Sequence, residues 1–394
     1  MRVLCLASTF HPVIGGAETY ILNLARGLDA IGHRVQIITD SVANQPEREC
    51  VSKGVGVRRL SQYRHTFNAP DRILWEQMQF GLCDEIADEV EQFAPDVVFS
   101  NSLDVCVQGK LVSLHTGKPW IATFHEQSPE RESFGEARLQ LAYALLKPDA
   151  IVAGSQLYLA RGRRFGGVDR THLIYHGIDT NQFHDMESSS SVRSHYGVPE
   201  NHFLIVSAGR FKPRKGFTNL IQATRVLKNL GRQVTVIIAG SLNSASVAHW
   251  SELRALVQLL SLEQNIIFEE KITHERMPWL LSGGDLVVQA SLEEGLPLAV
   301  IEAMACSRPL VATRISGVVD IVKGDAMATL VEPNTSDSLA AAIDDLLGDE
   351  QRRRAMGLLA RAHVVEHFSL ERMVAATAEL MEEILRNGSL NVAK

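Results

Sequence analysis

The chain has 394 residues, of which 45% are hydrophobic and 22% charged, and a formal net charge of -7. That length exceeds one ordinary core and suits two domains of about 190 residues each. The acidic balance argues against a nucleic-acid binder, and no run of about eighteen apolar residues offers a membrane span.

Strand-like and helix-like runs alternate along almost the whole chain, which predicts an α/β protein with parallel sheets covered on both faces. The N-terminus, Met1 to Ser8, is apolar only briefly before Thr9 and His11, so it reads as a strand and not a signal peptide, and a cytoplasmic protein is expected. In the first half the strand runs are Val3 to Ala7, Val35 to Thr39, Val55 to Leu60, Val97 to Ser100, Trp120 to Phe124, Ala150 to Ala153 and His172 to Tyr175. The clearest helix is Ala17 to Gly32, with Ile21, Leu24, Ala25 and Leu28 on one face and Gly32 as its stop. Met186 to Pro199, with serines at 188 to 191, has the composition of a linker.

The second half restarts the alternation with strands at Phe203 to Ala208, Val234 to Ala239, Ile266 to Phe268, Leu286 to Ala290, Leu310 to Thr313 and Ala328 to Val331. Helices at Ser336 to Leu347 and Glu350 to His367 follow, then Leu370 to Arg386 with Met373, Ala376, Leu380 and Ile384 on one stripe. The expected division is therefore a domain at 1–185, a linker at 186–199, a domain at 200–369 and a terminal helical segment at 370–394. Cys5, Cys50, Cys83, Cys106 and Cys306 are scattered, form no Cys-x-x-Cys pair, and read as reduced core residues. Arg161, Arg163 and Arg164 form the densest basic patch, which suits either a solvated helix end or a peripheral contact with an anionic membrane.

Four segments fall at the carboxyl ends of predicted strands, where open α/β sheets bind ligands. Thr9 to Glu18 is a glycine-containing loop leading into a helix, and Gly15 and Gly16 allow close backbone approach beside amides that favour an anion. Ala208 to Gly216 crowds Arg210, Lys212, Arg214 and Lys215 into six positions, a charge density that asks for solvent or a phosphate. Ile121 to His125 ends a strand on a histidine. Ser291 to Cys306 carries Glu294 and Glu302 with seven residues between them across a strand, loop and helix start, and a carboxylate beside an anion site suits sugar or ribose hydroxyls. An anion bearing many hydroxyls is a nucleotide sugar.

These segments resemble the retaining glycosyltransferases of family 4, which have the two-domain GT-B fold. Ser291 to Thr313 is similar to the family's Glu-x7-Glu segment and the Glu-Ala-Met-Ala-Cys run within and beyond it. Gly15-Gly16-Ala17-Glu18, Gly177-Ile178-Asp179, Gly209-Arg210 and Lys215-Gly216 support the match. The resemblance implies two Rossmann-like domains around a central cleft, with the last helix returning to the first domain. It implies that Arg210 and Lys215 hold the donor diphosphate, Glu302 the ribose and Glu294 the hydroxyls of the transferred sugar. His125 would lie beside that sugar, and Gly15 and Gly16 near the diphosphate or acceptor. Gly209, Ile272, Gly295, Leu296, Pro297 and Leu298 complete the implied donor-binding set, and His125, Arg210, Lys215 and Glu294 the catalytic one.

The implied reaction moves a hexose-type sugar from a nucleoside diphosphate donor, UDP favoured over GDP, to a hydroxyl of a small-molecule, glycan or lipid-linked acceptor with retention of configuration. No Asp-x-Asp pair occurs, so neither a metal nor another cofactor is expected. An epimerase or hydrolase of the same fold, or a non-catalytic sugar-nucleotide sensor, is the alternative. The chain departs from the family pattern at Pro297, which has no backbone N–H, at His176 where Asn is common, at Ser307 where glycine precedes Arg-Pro, and at Glu270. Acceptor contacts are expected from Asn44 to Lys53, Tyr63 to Asp71 and Glu126 to Glu136.

Overall fold

The computed structural model describes residues 1–13, 15–60, 75–126, 130, 134–242 and 246–392. They form two units, Met1–Gly177 with Leu370–Lys394, and Ile178–Ser369. The first holds an eight-stranded sheet of β1 (Arg2–Leu6), β2 (Arg34–Asp40), β3 (Arg48–Ser52), β4 (Val55–Leu60), β5 (Val97–Ser100), β6 (Trp120–Thr123), β7 (Ala150–Ala153) and β8 (Thr171–Leu173), in the order β3-β4-β2-β1-β5-β6-β7-β8. All pairs are parallel except β3 with β4. β5, β6 and β7 are buried at every position, as strands covered on both faces must be.

One face of this sheet packs against the helix Gly16–Ala30 through Ile21, Leu24 and Leu28, and the terminal helix Leu370–Val392 adds Met373, Val374 and Met381 to the same core. The two helices approach closely at Gly27, where a Cβ would lie 2.2 Å from Val374 Cγ2. The other face is covered by a second cluster that includes Trp120, Tyr143, Ile86 and Val112. Among the described residues no helix is long and apolar enough to cross a membrane.

The second unit holds β9 (Phe203–Ala208), β10 (Val234–Ala239), β11 (Ile266–Glu269), β12 (Leu286–Gln289), β13 (Leu310–Thr313) and β14 (Thr329–Val331), all parallel, in the order β11-β10-β9-β12-β13-β14. Its core joins these strands to the helices Phe217–Asn229, Val247–Leu259 and Ser336–Leu347. In each sheet the order reverses once, between β1 and β5 and between β9 and β12. Such a reversal splays the flanking connections to opposite faces and opens a crevice at the strands' carboxyl ends.

Three expectations need correction. The stretch at 44–53 is not all loop, because Arg48–Ser52 pairs antiparallel with β4 as an edge strand whose alternating polar residues hide it from a search for apolar runs. Cys50 lies on that strand and is exposed, unlike buried Cys5, Cys106 and Cys306. The segment read as a linker forms the helix Ser189–Tyr196, with Val192 fully buried against Gly283. Its serines are structural: Ser188 Oγ donates to Trp279 O (2.6 Å), and Ser191 Oγ accepts from Trp279 Nε1 (2.8 Å). The chain enters the second unit at Ile178, whose N–H bonds Phe368 O at 3.0 Å, and Arg361 then anchors Phe183 O at 3.0 Å.

Ser307 occupies the left-handed region at φ +57, where a side chain costs about 1 kcal/mol. This is why glycine suits the position. Ser307→Gly is expected to stabilise the second unit by about 0.5 to 1 kcal/mol, raising its thermal midpoint by a few degrees in calorimetry; an unchanged or lowered midpoint contradicts the strain.

Candidate functional site

At the β9/β12 reversal, a buried carboxylate gathers the basic loop. Glu294 is 5% exposed. Its Oε1 accepts from Lys215 Nζ in a short ion pair and from Ser291 Oγ at 3.0 Å, and its Oε2 accepts from Arg214 Nη1 at 2.8 Å. Arg214 also reaches Glu293 O at 3.2 Å, and Leu292 N donates to Arg214 O at 2.7 Å, so the two loops are joined through backbone and side chain. Ser291 is itself placed by Gln289 Nε2 (2.8 Å) and by Thr313 Oγ1, which donates to Ser291 O.

The electrostatics follow from burial. Desolvation alone would raise the Glu294 pKa, but Lys215 and Arg214 outweigh it and hold the carboxyl below its ordinary range. Burial, with Arg214 and Arg210 adding to it, lowers Lys215 against the opposing pull of Glu294, and burial with Arg210 and Arg214 nearby lowers Lys212. Among the described residues the side chains of Arg210 and Lys212 make no hydrogen bond or ion pair, so this loop offers two uncompensated cations beside a compensated pair. Gly209 borders Lys215, whose Cδ would lie 3.2 Å from a Cβ there.

Beyond Glu294 the chain turns through buried Gly295, half-buried Leu296 and buried Pro297 into the helix Leu298–Ala305. Pro297 stands at the N-cap in an extended conformation, where its missing N–H leaves no orphan donor. Gly317 lies so close that a Cβ would meet Gly295 O at 2.6 Å. Glu302, one turn into the helix, is 8% exposed, and burial raises its pKa against the opposing pull of His274 and Lys215. Ile272 is half-buried just beyond β11, in the same connection as His274.

The first unit presents a different chemistry at its β1/β5 reversal. Gly15 is the extended N-cap of the helix Gly16–Ala30, and nothing lies within 4 Å of a Cβ built on Gly16. His125, just past β6, bonds Asn101 Oδ1 through Nε2 at 2.8 Å, and Asn101 Nδ2 donates to Ala17 O at 3.1 Å. The imidazole packs against Tyr20 and His176, each with ring centroids 5.0 Å away. Burial, then His176, drives the His125 pKa well below its ordinary value, and burial brings His176 to about 4.

Thus Arg210, Lys215, Glu294, Gly295 to Leu298 and Glu302 converge in the second unit, while Gly15, Gly16 and His125 converge in the first. Sequence reasoning missed Arg214 and Ser291 as partners of Glu294, and Asn101 and Tyr20 as neighbours of His125. Arg214 was visible only as one of a crowd of cations; Asn101 carried no signal beyond following the strand Val97 to Ser100. Tyr63 to Asp71 lies outside the described residues, as do 127–129 and 131–133 within Glu126 to Glu136. No cluster of three or more His, Cys, Asp or Glu side chains suited to a metal occurs among the described residues.

Comparison with known proteins bears on the family and the fold. A D-inositol 3-phosphate glycosyltransferase of Paenarthrobacter aurescens (strain TC1) is 27% identical over 396 residues, covering 94% of this chain and 93% of the relative. The alpha-maltose-1-phosphate synthase of Mycolicibacterium smegmatis is 26% identical over 313 residues, 74% of this chain and 80% of the relative. Among solved structures, sucrose-phosphate synthase from Thermosynechococcus elongatus superimposes with a TM-score of 0.85 at 21% identity, covering 98% of this chain and all of that one (100%). Anabaena HepE in complex with UDP and glucose gives a TM-score of 0.81 at 24% identity, covering 97% and 100%. The family model for Glycosyltransferase Family 4 matches residues 14–182, and that for Glycosyl transferases group 1 matches residues 189–363. With both halves matched in tandem and a Rossmann-like sheet in each unit, the chain belongs to glycosyltransferase family 4 and has the GT-B fold.

Proposed function

We propose that the protein transfers a hexose-type sugar from a nucleoside diphosphate donor, UDP favoured over GDP, to an acceptor hydroxyl with retention of configuration and without a metal. The observation that carries this reading is the compensated Glu294 beside uncompensated Arg210 and Lys212 at the β9/β12 reversal. A diphosphate is the ligand that two free cations and an oriented lysine recognise. HepE, a structural neighbour, was crystallised with UDP and glucose, which supports a uridine donor here.

As the bond from the anomeric carbon to the diphosphate oxygen breaks, negative charge grows on the leaving phosphate. Arg210 and Lys215 answer it, Lys215 being aimed by Glu294, and Lys212 adds a third charge. A carboxylate has about four lone-pair directions, and Glu294 uses three, so it has room for one sugar hydroxyl. Glu302 accepts from the ribose. His125 acts on the transferred sugar, and the leaving phosphate oxygen takes the acceptor proton on the same face.

A thermal-shift panel of UDP, GDP and their sugars in EDTA tests the donor. The matching nucleotide at 100 times its dissociation constant should stabilise the fold by about 2.7 kcal/mol. No shift with any of them, or activity that manganese alone restores, defeats the assignment; rapid nucleotide release without an acceptor favours a hydrolase instead.

Removing one preorganised donor of this kind costs about a hundredfold to a thousandfold. Arg210→Ala and Lys215→Ala should each lose turnover on that scale, and more than about a tenth of wild-type kcat in either rules out its role.

Glu302 accepts most strongly from a ribose hydroxyl when it is ionised, and its pKa is raised by burial. Its protonated form therefore persists to higher pH than an ordinary glutamate's, and KM for the donor should rise as pH falls through that value while kcat holds. Glu302→Gln should weaken donor binding at all pH values and flatten this dependence; a variant with the wild-type KM profile refutes the ribose contact.

A further inference from the structure

The Asn101 side chain bridges a backbone carbonyl and the His125 imidazole, and that bridge has a chemical direction. Ala17 O can only accept a hydrogen bond, so the atom 3.1 Å from it must be the amide nitrogen of Asn101. The amide oxygen is then the atom 2.8 Å from His125 Nε2, and an oxygen without a hydrogen can only accept. Nε2 must therefore carry the proton. In a neutral imidazole that leaves Nδ1 with its lone pair, and Nδ1 has no hydrogen-bond partner among the described residues.

The elements around the ring keep it neutral. Tyr20, from the helix Gly16–Ala30, and His176, beyond β8, pack on it as uncharged rings, and burial, then His176, disfavours a positive charge on His125. The next carboxyl along the chain, Glu126, turns away to cap Leu103 N–H at 2.7 Å. Asn101 is itself fixed: it is 3% exposed, and its own N–H bonds Leu6 O at 2.8 Å, locking it across the β1/β5 reversal.

We propose that Asn101 is a positioning residue that holds His125 as the Nε2–H tautomer, leaving Nδ1 as an acceptor for a hydroxyl of the bound sugar substrate. The choice of substrate group rests on the assignment of His125 to the transfer reaction; the tautomer does not. The direction of the hydrogen bond matters for specificity. A site that accepts from a hydroxyl at Nδ1 discriminates against a sugar lacking that hydroxyl, because the bound sugar displaces water and would leave the nitrogen without a partner.

The test uses the full chain labelled with 15N-histidine, with the His125 ring signals identified by their disappearance in His125→Gln. The wild type should show Nε2 protonated and Nδ1 unprotonated near neutral pH. The opposite tautomer, or an imidazolium there, overturns the proposal. Asn101→Asp places a full negative charge on Nε2–H, so its His125 should be doubly protonated at neutral pH. Its kcat should fall by about tenfold or more there and recover as pH rises and Nδ1 is freed. Asn101→Ala should lose activity without that displaced pH profile. An unshifted profile in Asn101→Asp counts against the positioning role. Wild-type turnover in His125→Gln instead removes His125 from the reaction, while the nitrogen signals still decide the tautomer.

Discussion

Keeping Glu294 ionised inside the second unit is the constraint on which the donor site depends. A carboxylate at this depth is costly unless paired and hydrogen-bonded, so Lys215, Arg214 and Ser291 must all reach it. That requirement shapes the backbone. To carry Lys215 under β12, the loop after β9 turns at Gly216 with φ +66, where a Cβ would lie 1.9 Å from Ala290 O. No side chain fits there. The same demand fixes Ser291 through Gln289 and Thr313, so the carboxylate is braced from both flanking strands. Arg210 and Lys212, two to five residues earlier in the same loop, have no such obligation and remain available to an anion. A single buried charge thus sorts a crowd of four cations: Arg214 and Lys215 are held by it, Lys215 with donors to spare, and Arg210 and Lys212 stay unpaired among the described residues.

How much of this was readable from the residues depends on whether the determinant was local. Strands such as Val97–Ser100 and Val234–Ala239 were legible because burial on both faces makes a parallel strand an uninterrupted apolar run. Arg48–Ser52 was not, since an edge strand keeps polar residues and pairs only through its neighbour. The serines before Arg193 resembled a linker because their hydrogen-bond partners, in the 279 region, are remote in sequence. The basic loop and the glutamate were each visible as motifs at strand ends. Their division of labour was not, because Lys215 and Glu294 stand 79 residues apart and meet only where the strand order reverses.

The two reversals solve opposite electrostatic problems. In the second unit the carboxylate stays charged because two cations outweigh its desolvation. In the first, desolvation wins, and the groups at the reversal are neutral rings and an amide. His176 shares that buried, neutral setting. A departure from the family pattern in sequence, it packs beside His125, with the Tyr20 ring centroid 4.4 Å from its own. Gly154 makes the room, since a Cβ there would lie 2.2 Å from His176 Nε2. An asparagine in that place would bring no ionisable group. A second imidazole does, but burial brings it to about 4, and burial, then His176, lowers His125, so near neutral pH both stay uncharged. With Nε2 of His125 committed to Asn101, that neutrality is what leaves Nδ1 with a lone pair.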